Sequence, residues 1–393
     1  MNILPEVLKE KDYLVSVRRH LHKNPELSLK EFATATYIEE QLDAAGITNY
    51  RIGETGILGT ITGKLGEGKT ILLRTEIDAL PIQEETGASY SSRTLGVMHA
   101  CGHDAHTASL LCAAKVLQSL SDSFAGKILL VFQQAEEFGH GSRFFLAEHI
   151  TDGVDRAFGI HVSPEFPVGT VAMANGPAAA SCDYFKIKVN GKGAHISKPK
   201  KGIDALYIAS LIIMNLKTIA AKVAGPNEIA LVGVGKITSG TSYNIIAEDA
   251  VIEGTTRTFS YDTQELLKQK VIELADTIAS ENGGSVHTEF ETFTSALIND
   301  SEAFDEVYES VRTVVGTENI ITDKNVVTGF GADDFAEYLR ETKGVYVHVG
   351  TANVSDPNTK NSLHSSKFDV DEHVLLIAAS LHITYSLSVL KEK

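Results

Sequence analysis

Positive charge is in short supply along this chain: 35 Lys+Arg stand against 51 Asp+Glu, for a formal net charge of −16. Phosphate binding needs clustered basic residues, so no nucleic-acid surface is expected. Cysteine is scarce too. Three cysteines in 393 residues, an odd number, do not read as a disulfide framework. No apolar run is seen to reach the roughly 18 residues of a membrane span. No basic stretch followed by an apolar one opens the chain, so no secretory signal is expected. Internal repeats and low-complexity tracts are also lacking. These absences lead to the expectation of a soluble, cytoplasmic enzyme without a nucleic-acid or membrane partner. The hydrophobic content, 43%, is ample for one large domain or two.

The periodicity is that of an α/β protein. Leu14, Val17 and Leu21 recur at helical spacing until Asn24-Pro25, and a second helix is predicted from about Leu29 to Ala45, with Gly46 as its C-terminal cap. Short β-rich runs follow at 57–61 and 70–75. Then come an Ala/Leu-rich helix at 105–120, a continuous apolar strand at 127–132, a short helix at 141–148 and another buried strand at 157–162. Strands alternating with helices predict a largely parallel sheet. After Gly176 the rhythm changes to strand 183–189, helix 203–221, strands 229–237 and 246–258, helix 263–282 and strand 286–293. This βαββαβ order is the ferredoxin-like arrangement. The α/β pattern resumes with helices at 302–315, 333–341 and 371–390 and a strand at 345–349. The expected organisation is a discontinuous first domain, 1–177 plus 295–393, with 178–294 inserted as a second.

Chemistry-bearing side chains concentrate in Val97-Met-His-Ala-Cys-Gly-His-Asp-Ala-His106. Cys101 and His103, two apart, would face one site if the segment is extended. Gly102 allows a tight backbone path, and Asp104 could orient a ligand imidazole. The acidic pair Glu136-Glu137 follows an apolar strand, at the kind of strand end where α/β sheets place their sites. One acid could bind metal while the other takes a proton from water. His161 also follows an apolar strand, and His364 lies in a loop before the last helix. Alone, Cys101 and His103 read as evenly a buried thiol and a loop histidine as a site, Glu136-Glu137 reads as a solvated acidic loop, His161 as a packed histidine, and His364 is a weak signal. Together they form the donor set of a two-metal hydrolase, because zinc-type ions accept imidazole, thiolate and carboxylate together. A Cys101 nucleophile with a histidine base is an alternative that leaves the other residues idle. His99, His106 and His140 are alternate ligands by residue type, and His20 and His22 read as surface or packing residues. In the inserted segment, His195 and Asn244 could donate to an oxyanion and Arg257 could grip a carboxylate.

At this point the chain resembles, over nearly its whole length, the aminoacylase, hippurate hydrolase and N-acetyldiaminopimelate deacetylase family of two-metal peptidases, which includes auxin-conjugate hydrolases. The resemblance is carried by Arg18–Ser28, by Ile77-Asp-Ala-Leu-Pro-Ile82, by Val97–Asp104, by Phe132-Gln-Gln-Ala-Glu-Glu137 and by Gly159-Ile-His161. It continues through Gly191-Lys-Gly-Ala-His195, Gly254-Thr-Thr-Arg-Thr258 and Leu363-His-Ser365. It implies an exopeptidase-like catalytic domain with an inserted ferredoxin-like lid and dimerisation domain, whose closure would expel water from the site. It implies two divalent ions, zinc, manganese, cobalt or nickel, held by Cys101, His103, Glu137, His161 and His364, with Cys101 bridging. Glu136 is then the general base, His195 and Asn244 support the oxyanion, and Arg257 holds the substrate carboxylate. The implied substrate is an N-acyl amino acid or similar small amide, with a dipeptide as the alternative, and the implied assembly is a homodimer. A non-catalytic metal-binding dimer would have been favoured by loss of Glu136 or a ligand, and all are present.

The chain departs from the family pattern in four places. Glu76 stands where Asp is usual, Gln134 replaces Pro, Asp333-Asp334-Phe335 replaces Glu-Asp-Phe, and Ala194 replaces Gly. These departures bear on substrate identity more than on reaction type.

Overall fold

A computed structural model of the chain describes residues 1–225 and 228–391. It divides into two units. The first comprises Met1–Ala178, Ile298–Thr328 and Asp333–Lys393; the second comprises Ala179–Leu297 and Gly329–Ala332.

The first unit is built on an eight-stranded mixed sheet. Its strands lie in the order Thr48–Ile52, Gly56–Thr62, Lys127–Gln133, Thr70–Glu76, Arg156–Pro167, Gly344–Ala352, Val171–Ala172 and Ile320–Ile321. The four central strands, Lys127–Gln133 through Gly344–Ala352, are parallel. Being covered on both faces, they read as apolar runs: Ile71, Leu72 and Leu73 are fully buried. Helix His373–Lys391 packs against His103–Ser119, Ser301–Val315 and strand Thr70–Glu76. Register places Glu76 beside Gln133 and Arg74 beside both Val131 and Gly159. The segments bearing Asp78 and Glu136-Glu137 therefore leave the sheet side by side at its carboxyl end, where ligands of α/β sheets bind.

The second unit follows the order strand Cys182–Asn190, helix Ala205–Val223, strands Ala230–Ser239 and Asp249–Thr258, helix Tyr261–Glu281 and strand Ser285–Thr294. The strands form one sheet in the order Ala230–Ser239, Asp249–Thr258, Cys182–Asn190, Ser285–Thr294, every pair antiparallel. Ile208, Ile212 and Leu216 of the first helix and Leu267, Val271 and Ala275 of the second share a core with Phe185, Ile187 and Ile252. Asp204 and Ser260 cap the two helices, accepting from the backbone N–H groups of Tyr207 and Thr263.

Some expectations change. Strand Thr48–Ile52 went unforeseen because its residues are mostly polar and half-exposed. The second helix begins at Phe32. Two helices, Ala205–Val223 and His373–Lys391, are long and apolar enough to cross a membrane by length and composition, contrary to the expectation that no segment reaches that length. In His373–Lys391 the apolar window is 78% buried, which makes it a core helix. Ala205–Val223 buries one stripe and leaves Leu206, Tyr207 and Met214 exposed.

Candidate metal centre

The strongest sequence motif is shaped by one glycine. Gly102 adopts φ +87 directly before helix His103–Ser119, and a Cβ there would lie 2.4 Å from Val162 Cγ2. Cys101 and His103 therefore converge through a left-handed kink, rather than through the extended segment expected. The Cys101 thiol reaches to 3.5 Å from His161 Nε2. His103 directs Nδ1 at the Asp78 carbonyl, 2.9 Å, and at its carboxylate, 3.2 Å. That leaves His103 Nε2 buried without a hydrogen-bond partner.

Asp78, which carried no role in the sequence reading, also accepts from the Ser28 hydroxyl at 2.7 Å and from the Glu137 N–H at 3.0 Å. The expectation that Asp104 orients a ligand imidazole is not met. Successive helical residues point about 100° apart, and Asp104 turns instead to Arg18 Nε and His22 Nδ1, each at 2.8 Å. His22 is consequently a buried member of an ion-pair network with Glu84, not a surface residue.

Glu136 and Glu137 occupy a 3-10 turn, Glu136–Phe138, entered through Ala135 at φ +54. The buried Glu31 carboxylate holds this turn, accepting from the Ala135 N–H at 3.0 Å and the Thr55 hydroxyl at 2.7 Å. His364 also has a positive φ, +65; its N–H donates to the Ala100 carbonyl at 2.9 Å, and its Nε2 lies 3.6 Å from Glu137 Oε1. Non-glycine residues avoid this region unless their surroundings impose it. His161 lies within strand Arg156–Pro167 rather than after it, and its Nδ1 donates to the Val162 carbonyl at 2.6 Å.

The donor atoms gather in overlapping groups within 4.8 Å of one another: Cys101, His103 and His161; Cys101, Glu137 and His364; and His103, Glu136 and Glu137. The first two groups share Cys101 and together use all five expected ligands. Of the alternates, His106 also gathers with Glu76 and His103. Its ring nitrogens are both engaged, by Glu76 at 2.8 Å and by the Val162 N–H at 2.9 Å. His99 and His140 belong to none of the gathered groups among the described residues.

Negative charge accumulates here. Burial, then Asp333 and Glu137, pushes the Glu136 carboxyl well above its ordinary range. Burial, then Glu137 and Glu136, does the same to the Cys101 thiol. Burial lifts Asp334 to about 6 against the pull of Arg74. On His103 burial opposes the charge, but the Asp78 hydrogen bond and the Glu76 charge prevail and hold it at about 10. A divalent cation reverses this electrostatic logic, favouring thiolate, carboxylate and neutral imidazole. The donor set fits such ions on a further count: Glu137 Oε1, like His103 Nε2, is buried without a hydrogen-bond partner.

His195, Asn244 and Arg257 belong to the second unit. The first two are neighbours: His195 pairs with Ile245 in a two-residue ladder, and the Ile196 N–H donates to the Asn244 carbonyl at 3.1 Å. His195 Nδ1 accepts the Ser197 N–H at 3.1 Å, which leaves its exposed Nε2 as the protonated donor. Arg257 is half-buried on strand Asp249–Thr258 and donates to the Ser181 carbonyl at 3.3 Å.

A parallel sheet carrying thiolate, imidazole and carboxylate donors at its carboxyl end defines a metal-dependent hydrolase. More particularly, the chain belongs to peptidase family M20/M25/M40, whose profile matches residues 72–385. It is 37% identical over 367 residues to an N-acetyl-L-cysteine deacetylase of Bacillus subtilis, covering 93% of this chain and 85% of that one. It is also 37% identical over 389 residues to thermostable carboxypeptidase 2 of Saccharolobus solfataricus, covering 96% and 95%. Among solved structures it resembles a dinuclear metal-binding M20-family peptidase of Bacillus subtilis, with TM-score 0.84, 30% identity and coverage of 98% and 99%.

Sequence reasoning missed Asp78, Arg74 and Glu31, and held His106 only as an alternate ligand. A signal was present for Arg74: Arg74 and Glu76 lie two apart on one face of a strand otherwise apolar, which a buried strand tolerates only when the charges are paired.

Proposed function

We propose that this chain hydrolyses the amide bond of N-acyl amino acids, or of similar small amides with a free carboxylate, using two divalent ions. The observation that carries the reading is the pair of donor triads meeting at Cys101. Cys101, His103 and His161 would hold one ion, and Cys101, Glu137 and His364 the other. When bound, the ions supply Lewis acidity toward the amide carbonyl and toward water. Thiolate favours a zinc-like ion, while manganese, cobalt and nickel suit the imidazole and carboxylate donors.

The chain's own residues supply the rest. Glu136 takes a proton from the attacking water and returns it to the departing amine. Asp78 fixes the tautomer of His103, so that Nε2 faces the site. His195, a donor through Nε2, and Asn244 would stabilise the oxyanion, and Arg257 would grip the substrate carboxylate. The deacetylase relative supports the acyl amino acid, and the carboxypeptidase relative supports a dipeptide or carboxypeptidase substrate as a second reading.

The second unit is proposed to be a ferredoxin-like lid that pairs with a second copy of the chain. Its helix Ala205–Val223 exposes Leu206, Tyr207 and Met214, and its edge strand Ala230–Ser239 exposes Leu231 and Ile237. A cytoplasmic location belongs to the same proposal and is supported by three cysteines that remain thiols.

The test is release of free amine from a panel of N-acyl amino acids and dipeptides, with added Mn²⁺, Zn²⁺ or Co²⁺ and again after chelation. Metal-dependent cleavage of the acylated amino acids is expected. Cleavage of dipeptides alone would establish the second reading, and full activity in chelator would sink both.

A further inference from the structure

Arg74 is wholly buried in the middle of strand Thr70–Glu76. Its Nε donates to Gln133 Oε1 at 3.1 Å and its Nη2 to Asp334 Oδ1 at 2.7 Å. Its Nη1 meets two carboxylates, Glu76 through Oε1 and Asp333 through Oδ1 at 3.2 Å. Asp333 is held from its other oxygen by the Tyr346 hydroxyl.

From Glu76 hydrogen bonds lead, by way of the Val162 backbone, to a candidate ligand. Glu76 Oε2 accepts from His106 Nδ1 at 2.8 Å. This leaves His106 Nε2 as an acceptor, and it receives the Val162 N–H at 2.9 Å. The Val162 carbonyl in turn takes the His161 Nδ1 proton at 2.6 Å, and His161 Nε2 then points toward Cys101 Sγ. As acceptors, the Glu76 carboxylate fixes the tautomer of His106 and the Val162 carbonyl fixes that of His161, which is how outer residues orient metal-binding histidines.

Two carboxylates of unequal reach, Glu76 and Asp333, end on one nitrogen of this network. Glu76 reaches the guanidinium with one methylene more than Asp333 does from the opposite segment. Around a buried guanidinium at native packing density, length added on one side must be removed on the other.

We infer that Glu76 and Asp333 are a matched pair that shares Arg74, and that Glu76, acting through His106 and the Val162 backbone, is a positioning residue that sets the orientation of His161. The inference rests on the reading of His161 as a metal ligand.

The experiment uses E76D, D333E and the double variant E76D/D333E of the full chain, with Co²⁺ as the probe. Affinity is measured by competition with a chromogenic chelator, and ligand geometry by the visible absorption bands of the Co²⁺ protein. Each single variant should bind Co²⁺ about 10–100-fold more weakly with displaced bands, the usual effect of disturbing outer-shell partners. The double variant should recover both affinity and spectrum. Single variants that match the parent would overturn the inference, as would a double variant whose loss is the sum of the two. Should a single variant fail to fold, the double decides: recovery of fold and spectrum supports the pairing, and failure of both refutes it. A parent protein that takes up no Co²⁺ would instead refute the metal reading itself.

Discussion

Helix His103–Ser119 begins between two buried clusters of charge that differ in kind. On one side Asp104 joins Arg18, His22, Glu84 and Asp369, and every carboxylate has a cation within 3.3 Å. On the other side Glu136 and Glu137 face only long approaches from imidazoles, 3.8 Å from His103 and 3.6 Å from His364, while buried donor atoms go unpartnered. The first cluster pairs each of its acids with a cation and leaves only Asp104 Oδ1 unpartnered among its described atoms, which suits a structural brace. The second is open toward cations, which suits a site. Adjacent residues in sequence, His103 and Asp104, serve one each.

Mutations should separate the two clusters. Glu136→Gln should lower kcat by about 10³-fold, within the usual range for a general base, while metal content by elemental analysis stays that of the parent. A near-normal kcat would remove Glu136 as the base. Arg18→Met strands buried carboxylates and should cost about 3–5 kcal/mol in denaturant unfolding. The protein that does fold should bind Co²⁺ within a few-fold of the parent; a large affinity loss would merge the two clusters into one. Metal itself should stabilise only through the open cluster, by about 2.7 kcal/mol at a free ion concentration of 100 Kd, seen as a shift in the unfolding midpoint.

Gly102→Ala tests the join between the clusters. The left-handed backbone alone should cost about 1–2 kcal/mol, and the contact with Val162 should add to it. Retention of full stability and metal affinity would show that the kink is not required.

A last, pH-dependent effect concerns a histidine outside both clusters. Burial, with a smaller contribution from His106, lowers His382 to about 3, and its ring lies edge-on to Phe158 at 5.5 Å. It is neutral when folded and protonates near 6.5 when unfolded, so its contribution is present above pH 6.5 and is lost as pH falls toward 3. The metal-free protein should lose stability over that window with a slope approaching about 1.4 kcal/mol per pH unit from this group. His382→Leu should flatten the slope, and an unchanged slope would assign the acid sensitivity elsewhere.

Much of this was legible in the sequence, for local reasons. The helix at Lys11–Lys23 announces itself by its apolar spacing, and the central strands by runs such as Ile71–Leu73 that are covered on both faces. The donor residues that gather in the first unit were legible because thiol, imidazole and paired acids are rare together in one short order of motifs. The partners of Arg74 were not, since Asp333 and Asp334 lie about 260 residues downstream and only the sheet brings them together. Asp104 was misread because proximity in sequence to a ligand says nothing about which way a helix turns it. Ala135 and His364 gave no sign of their left-handed backbone, a strain that the Glu31 and Ala100 hydrogen bonds impose from elsewhere in the chain.

The four residues Gly329–Ala332 carry a practical consequence for anyone taking the molecule apart. Gly329 and Gly331 accept from the Ala180 N–H, and Phe330 packs edge-on to Phe259 with ring centroids 5.3 Å apart. The second unit is therefore not one continuous length of polypeptide. Expressed as residues 179–297 alone, it would lose the piece that packs on Phe259 and pairs with Ala179 and Ala180 ahead of its first strand. A stand-alone version needs that tetrapeptide grafted back, and a domain transplant between relatives must exchange two stretches of gene rather than one.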